Sequence, residues 1–464
     1  MPVTTSTPTT APRERILSPT YAATTVAMFG LIAFVAFEAM AVATVMPTVA
    51  RDLDGLGLYA LAFAAPLASG VVGMVAAGAW SDRSGPVVPL LASLALFSTG
   101  LLVCGLAPTM DVLLVGRVLQ GLGGGALTVG LYVVVGLVYP PALRPAVFAS
   151  FAAAWVLPAL FGPGLAAFVA STWSWRWVFL GAVALVVVAL ALLAPALRGL
   201  EPPEEGERTP RIRLWWAVVG ATAVLVLELL GSASGLTALG AFVALALVWT
   251  ALGRLLPAGS RRLGRGLPAV IATRGLLSGV FFCAEAYIVY VLQDHWDLTA
   301  GRAGIALTCV GVVWAAASQL QSRLGERVSH TRAMVVGTSV VLLGTGVLAL
   351  TVASLDAGSR PSAVLPAAAY VLAGAGMGFA YPRTGVAMLE ASTDRDRGFN
   401  SSALSVADSL GAALALSAAG ALFAASDRAG LDPFLAVFTA AASVGVLGVL
   451  AAARTRAVSR TSPS

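Results

Sequence analysis

Glu38, Arg117, Glu285 and Asp408 each lie inside a long apolar stretch of the chain. Glu38 is the only formal charge between Tyr21 and Ala50. A charged side chain at the centre of a bilayer costs at least ~2.5–3.5 kcal/mol, so such residues face a protein interior or a watery cavity. The chemistry open to them is the binding and release of protons. Burial favours the neutral carboxyl, and a cation within ~4–6 Å favours the ionised one. Arg117 is the residue that could tune such a carboxyl, and Glu38 is its candidate partner. Arg117 shares one helical face with Gln120, Gly121, Gly124, Thr128 and Tyr132. Glu285 shares a stripe with Arg274 and Ser278, and Asp408 with Ser401 and Ser405. Arg274 stands close enough to its helix end to snorkel. Both stripes should turn inward, bringing three acids towards one cavity. Trp155, Tyr287, Tyr290 and Trp314 could line it together with Gln120. Acids among aromatic rings would suit a lipophilic cation.

The elements that hold these residues are helices that cross a membrane. Hydrophobic residues make up 58% of the chain and charged residues 11%, against roughly 25% charged in soluble domains. Mean hydropathy is +0.90. The apolar runs are continuous for about 20 residues, which suits helices and not barrel strands. All 28 basic residues are arginine. A pI near 9.6 could suggest nucleic acid, but in a multi-pass protein it reads as positive charge on cytoplasmic loops. The three cysteines lie in apolar runs and argue against a disulfide framework.

Fourteen apolar runs can be counted, from 22–46 to 433–453. One set of alternate loops holds most arginines, among them Arg83, Arg144, Arg261, Arg262 and Arg323. The other set holds Arg51, Arg176, Arg302, Arg360 and Arg428. This asymmetry puts both termini in the cytoplasm. The layout is a disordered N-terminus over 1–20, a six-helix bundle over 21–197 and a cytoplasmic linker over 198–213. A transmembrane hairpin over 214–253 and a loop over 254–267 follow, then a second six-helix bundle over 268–453 and a tail over 454–464. If neither hairpin run crosses, the count is twelve and the topology is unchanged. The first run is too long for a signal peptide and should be retained. Glu228, near the outer end of its run, reads as structural.

The two bundles can be laid on one another. Glu38 then falls on Glu285, Gly78 on Ser318, Asp82 on Ser322, Arg83 on Arg323 and Gly85 on Gly325. In the fourth spans Arg117 and Gly121 fall on Tyr370 and Gly374, and in the fifth Trp155 falls on Asp408. Duplicated six-helix halves are the pattern of major facilitator transporters.

Particular motifs carry the same resemblance. GAWSDRSG at 78–85 resembles the superfamily's signature loop between helices two and three, with Pro86 where an arginine is usual. LLVGRVLQGLGGG at 113–125 resembles its fourth-helix motif, and PALFGPGLAA at 158–167 a reduced form of its fifth-helix antiporter motif. FEAMAVATVMPTVARDL at 37–53 and WSWRWVF at 173–179 resemble stretches of the fourteen-helix drug:proton antiporter branch. The resemblance implies a major facilitator fold: an all-α polytopic membrane protein of two six-helix bundles with a two-helix insertion. It implies a conformational latch at Gly78, Asp82, Arg83 and Gly85, answered by Arg323 in the second half. It also implies a bend in the fifth helix at Pro158, Gly162, Pro163 and Gly164.

The functional expectation is a secondary active transporter, not an enzyme. It would export lipophilic, cationic drugs in exchange for protons by alternating access, with Glu38, Arg117, Glu285 and Asp408 coupling the two. Its partners would be a small-molecule substrate, protons and the lipid bilayer of the cell membrane, with no nucleic acid, as a monomer. A lipid or metabolite exporter and an uncoupled facilitator are the alternatives. No ATP-binding loop is present. His295 and His330 form no metal pattern, so no cofactor or metal is expected.

Overall fold

The computed structural model describes residues 15–55, 58–197, 211–230, 236–298, 300–354 and 362–456. The expected tail beyond 456, the linker over 198–210 and the turn at 231–235 lie outside these residues, as does the Glu228 side chain.

The first half comprises α1 (Ala22–Asp52), α2 (Tyr59–Ser84), α3 (Val87–Gly105), α4 (Met110–Val138), α5 (Arg144–Ala153), α6 (Val156–Thr172) and α7 (Arg176–Leu197). Then come α8 (Arg211–Leu230) and α9 (Leu236–Leu255). The second half comprises α10 (Leu267–Asp294), α11 (Ala300–Leu324), α12 (His330–Ala353), α13 (Val364–Glu390), α14 (Arg397–Arg428) and α15 (Pro433–Ala453). Among the described residues, eleven segments are long and apolar enough to cross a membrane. In a bilayer core every backbone polar group must be satisfied internally, which helices do within one segment.

Residues 15–20, expected in a disordered tail, fold back on α1 instead. Thr25 donates to the Ile16 carbonyl at 2.6 Å, and the Ser18 carbonyl accepts from Ala22 N at 2.8 Å. Ile16 packs on the core of the first half, which is why the chain is held from there on.

Helix packing repeats between the halves. In the first, α4 packs on α2 and α3, α7 on α3, and α1 on α6 and α7. In the second, α13 packs on α11 and α12, α15 on α12, and α10 on α14 and α15. Thus α1–α4 correspond to α10–α13, the pair α5–α6 to α14, and α7 to α15. The turn after α2 and the turn after α11 share a device. Gly85 has φ 73° and Gly325 has φ 50°, a left-handed backbone that glycine adopts without steric penalty.

The fifth span is broken, but not at Pro158–Gly164. Those residues run through α6 without interruption, and the break falls at Ala154–Trp155. The reason is one turn of geometry. Proline lacks an N–H, and its ring clashes with the carbonyl four residues back. For Pro158 that carbonyl belongs to Ala154.

The halves meet along two seams. One joins α2 and α4 to α14, and the other joins α5 to α11 and α13 and α6 to α11. The hairpin α8–α9 covers only the first. Ala217, Ala221, Val224, Val248 and Ala251 share a buried cluster with Val71 and Val75 of α2 and with Val406 and Leu410 of α14. Arg213 of α8 stacks on the Phe399 ring of α14 with its guanidinium 3.9 Å from the centroid.

Candidate functional site

Three polar clusters lie within the apolar body. The first joins α1 to α4. Arg117 Nη1 stands 2.6 Å from Glu38 Oε1. Nη1 also donates to Gln120 Oε1 at 3.0 Å, and Nε donates to the Ala62 carbonyl of α2 at 2.9 Å. Gln120 Nε2 donates back to Glu38 Oε1 at 3.1 Å. Both charged side chains are buried, 7% exposed for Arg117 and 10% for Glu38. A buried pair of this kind holds a fixed geometry, and removing one partner leaves the other charge uncompensated.

The second cluster joins α10, α13 and α14. Arg274 Nε donates to Asp408 Oδ1 at 2.9 Å. Its Nη1 donates to Thr384 Oγ1 at 2.8 Å and to the Tyr381 carbonyl at 3.2 Å. The Tyr381 hydroxyl donates to Asp408 Oδ2 at 2.7 Å, and the Ser278 hydroxyl donates to Oδ1. Arg274 therefore does not snorkel: its side chain is 1% exposed and fully engaged. The stripe of Arg274, Ser278 and Glu285 divides, its first two members going to Asp408. Arg274 Nη2 also donates to the Tyr132 hydroxyl at 2.9 Å. Tyr132 belongs to α4, so this bond crosses between the halves.

The third cluster surrounds Glu285. The polar side chain it interacts with is Tyr370 of α13. Tyr370 is fully buried, and its hydroxyl has no hydrogen bond of normal geometry. Phe281, one turn before Glu285, stacks on Tyr370 with centroids 5.6 Å apart and meets Trp314 edge-on at 5.1 Å. The Trp314 indole N–H is likewise buried with no acceptor. Towards the far end of α10, Tyr287 and Tyr290 pack on Phe423 of α14 at 5.3 and 5.7 Å. Gln120 belongs to the Glu38 cluster, and Trp155 is exposed at the break between α5 and α6.

Asp82 lies at the arginine-rich end of α2 and is buried. Its two carboxylate oxygens accept from Gly398 N at 2.6 Å and Phe399 N at 2.7 Å. Those are orphan N–H groups in the first turn of α14. The helix's own N-cap, Asp396, makes no capping bond there. Asp82 thus caps, from one half, a helix of the other, where the positive end of the macrodipole favours an anion. Gly78 makes the approach possible. A Cβ on it would stand 2.6 Å from the Gly398 carbonyl. Arg83 and Arg323 are exposed beside their turns.

The sequence groups Arg274 and Ser278 with Glu285, whereas both bond Asp408, and it gives no sign of Tyr381 and Thr384. These two lie on a helix remote in the chain from Arg274. The serine at Ser278, one turn from Arg274, was the visible trace.

Two duplicated helical bundles, joined at one end and holding buried charges between their helices, define a membrane transporter. The chain belongs to the Major Facilitator Superfamily, whose family model matches residues 28–288. It is 25% identical over 398 residues to a probable multidrug-efflux transporter of Mycobacterium tuberculosis, covering 81% of each chain. It is 22% identical over 410 residues to a multidrug efflux pump of Staphylococcus aureus, covering 86% of this chain and 89% of that one. In fold it resembles the human organic anion transporter MFSD10, with TM-score 0.70 at 15% identity, over 94% of this chain and all of the other. It also resembles a bacterial homologue of the iron transporter ferroportin, with TM-score 0.69 at 13% identity, over 93% of this chain and 98% of that one. The chain is a transporter and not an enzyme.

Proposed function

We propose that this transporter exports lipophilic cations across the cell membrane in exchange for protons. It works as a monomer with both termini in the cytoplasm. In this reading α8 and α9, each of 20 residues, also cross, since about 1.5 Å per residue gives each some 30 Å. The chain then makes fourteen crossings. The bundles run over 21–197 and 268–453, with 1–20, 198–213, 254–267 and 454–464 on the cytoplasmic face and 214–253 as the inserted hairpin. The single observation that carries the reading is the set of three acids, Glu38, Glu285 and Asp408, held within apolar helices of both halves. Multidrug-efflux relatives support the cargo class.

The mechanism follows from charge balance. A cationic substrate and a proton are alternative partners for a buried carboxylate. Binding the cation from the cytoplasm expels a proton, and a proton from outside expels the cation. Arg117 holds Glu38, and Arg274 holds Asp408, so each acid keeps its place as the halves move. The inner ends are held together by Asp82 on the α14 N-terminus and by Arg274 on Tyr132. Opening inwards breaks both contacts. Gly78, Asp82, Arg83, Gly85 and Arg323 form the latch in this reading. Tyr287, Tyr290, Gln120 and Trp155 border the path, and Pro158, Gly162, Pro163 and Gly164 shape the α6 wall. A 100 mV potential adds about 2.3 kcal/mol for each net charge moved.

The test uses purified protein in liposomes with an acidic interior and follows uptake of ethidium. Uptake above protein-free liposomes that an ionophore collapses is the expected result. Uptake indifferent to the gradient would replace exchange by facilitated diffusion. No uptake would turn the search to neutral lipids and metabolites.

A further inference from the structure

The arginines at the inner end of α9 are gathered on a folded loop. A tether that only obeys the charge asymmetry of a membrane needs no shape. This loop has one. Ser260–Arg262 form a single 3₁₀ turn between Gly259, with φ 90°, and Leu263, with φ 53°. Gly264 N donates to the Gly259 carbonyl at 3.0 Å and closes the turn. Ser260 is buried, and its hydroxyl donates to the Pro257 carbonyl at 2.9 Å. Gly266 N donates to the Arg454 carbonyl at 3.0 Å, which ties the loop to the end of α15. A leucine in the left-handed region is uncommon and persists only where surrounding contacts hold it. Arg254, Arg261, Arg262, Arg265, Arg454 and Arg456 are all exposed on this surface. Among the described residues none of the six forms an ion pair with a carboxylate.

Two of the six lie along the helices. The Arg261 guanidinium rests on α9, where Nη1 donates to the Trp249 carbonyl at 3.2 Å and the group stands 5.6 Å from the centroid of the Trp249 ring. Gly253 leaves room for it, because a Cβ there would run into that guanidinium. Arg254 lies over the Trp216 ring of α8 at 5.8 Å. Tryptophan near the end of a spanning helix marks the level of the lipid headgroups. The same face of α9 carries Leu245 and Phe242, four and seven residues before Trp249. All three side chains are exposed. A guanidinium at the head of an exposed apolar stripe matches a molecule that is anionic at one end and apolar along the rest. A soluble anion would not use the stripe, and a neutral lipid would not use six arginines.

We propose that this end of α9 binds an anionic phospholipid of the cytoplasmic leaflet. Its phosphate lies against Arg261 and Arg254, and an acyl chain follows Trp249, Leu245 and Phe242. The planar fork of a guanidinium meets phosphate oxygens through two parallel hydrogen bonds. Arg262, Arg265, Arg454 and Arg456 supply the local field that gathers anionic lipid. Because α8 and α9 also cover the seam between α2 and α14, a lipid held at their foot steadies that cover. The proposal rests on the reading above only in placing α9 across the membrane with this end inward.

The experiment measures lipid binding to the purified full chain in neutral detergent by native mass spectrometry. The probes are phosphatidylglycerol, phosphatidylcholine and glycerol 3-phosphate. Phosphatidylglycerol is expected to bind at least tenfold more tightly than phosphatidylcholine, and glycerol 3-phosphate is expected not to displace it. Arg254→Gln with Arg261→Gln is expected to weaken phosphatidylglycerol binding at least tenfold. Gly253→Ala, which keeps every charge but takes the seat of Arg261, is expected to weaken it at least threefold. Equal binding of the two lipids, displacement by glycerol 3-phosphate, or unchanged affinity in the double variant would each overturn the assignment. If the double variant does not elute as a monodisperse species, Gly253→Ala decides, and unchanged affinity there overturns the built site. Labelling of Ala258→Cys above wild type by a membrane-impermeant thiol reagent on intact cells would overturn the topology, and this proposal with it. Lipid results against the proposal leave the topology and the transport reading standing.

Discussion

The Glu38 site and the Glu285 site occupy equivalent positions on helices that pack in equivalent ways, yet they are chemically opposite. In the first half the carboxylate is bonded to Arg117 and Gln120, and the arginine is anchored further by the Ala62 carbonyl. In the second half the arginine has become Tyr370, and the acid lacks a counter-charge among the described residues. The second half does contain a buried arginine–carboxylate pair, but Arg274 lies about three turns before Glu285 on α10, and its partner Asp408 is on α14. That pair reaches across to Tyr132 of the first half. Duplication has preserved which helices touch and has moved where the charges are. The proposed exchange uses this inequality. Two fixed ion pairs would leave no carboxylate free to trade partners.

Making the halves alike should have the largest effect. Tyr370→Arg gives Glu285 the partner that Glu38 has, and is expected to reduce gradient-driven ethidium uptake in proteoliposomes more than tenfold. Retained uptake would mean that the missing cation is irrelevant. Unmaking the first-half pair comes next. Arg117→Ala strands a buried carboxylate and should cost about 3–5 kcal/mol of stability, read as a lowered unfolding temperature in detergent. The double change Glu38→Gln with Arg117→Gln should recover much of that loss. If it does not, packing and not charge holds α1 to α4.

The contacts between halves give smaller effects. Tyr132→Phe removes a hydrogen bond to a charged group, about 1.5–3 kcal/mol, and should favour separation of the arginine-rich ends. Spin labels at Ser84 and Thr393 would report this as a population at longer distance, and an unchanged distribution would make the bond a bystander. Asp82→Asn keeps an acceptor but loses the charge facing α14, and should shift the same distribution less, by about 0.5–2 kcal/mol.

Much of this is legible in the sequence, for identifiable reasons. Apolar run length marks helices because the bilayer leaves no other way to satisfy the backbone. Gly85 and Gly325 were aligned from spacing alone, and both proved to have positive φ. Pro158 signalled a break, but a proline acts on the carbonyl one turn earlier, so the break lies at Ala154 and Trp155. Arg274 looked like a residue near a helix end. Its burial depends on α13 and α14 closing over it, and sequence position does not show that.

The sequence by itself determined that the chain lives in a membrane, that it is built twice, and which polar residues lie in apolar helices. These follow from composition and period, which act within a segment. Which polar residues find one another was decided only by the tertiary structure. Glu38 and Arg117 are 79 residues apart, Arg274 and Asp408 are 134 apart, and Asp82 meets Gly398 across 316. Hydrogen bonds form over about 3 Å, so helix packing had to choose each partner. It gave Glu38 an arginine and left Glu285 with a tyrosine.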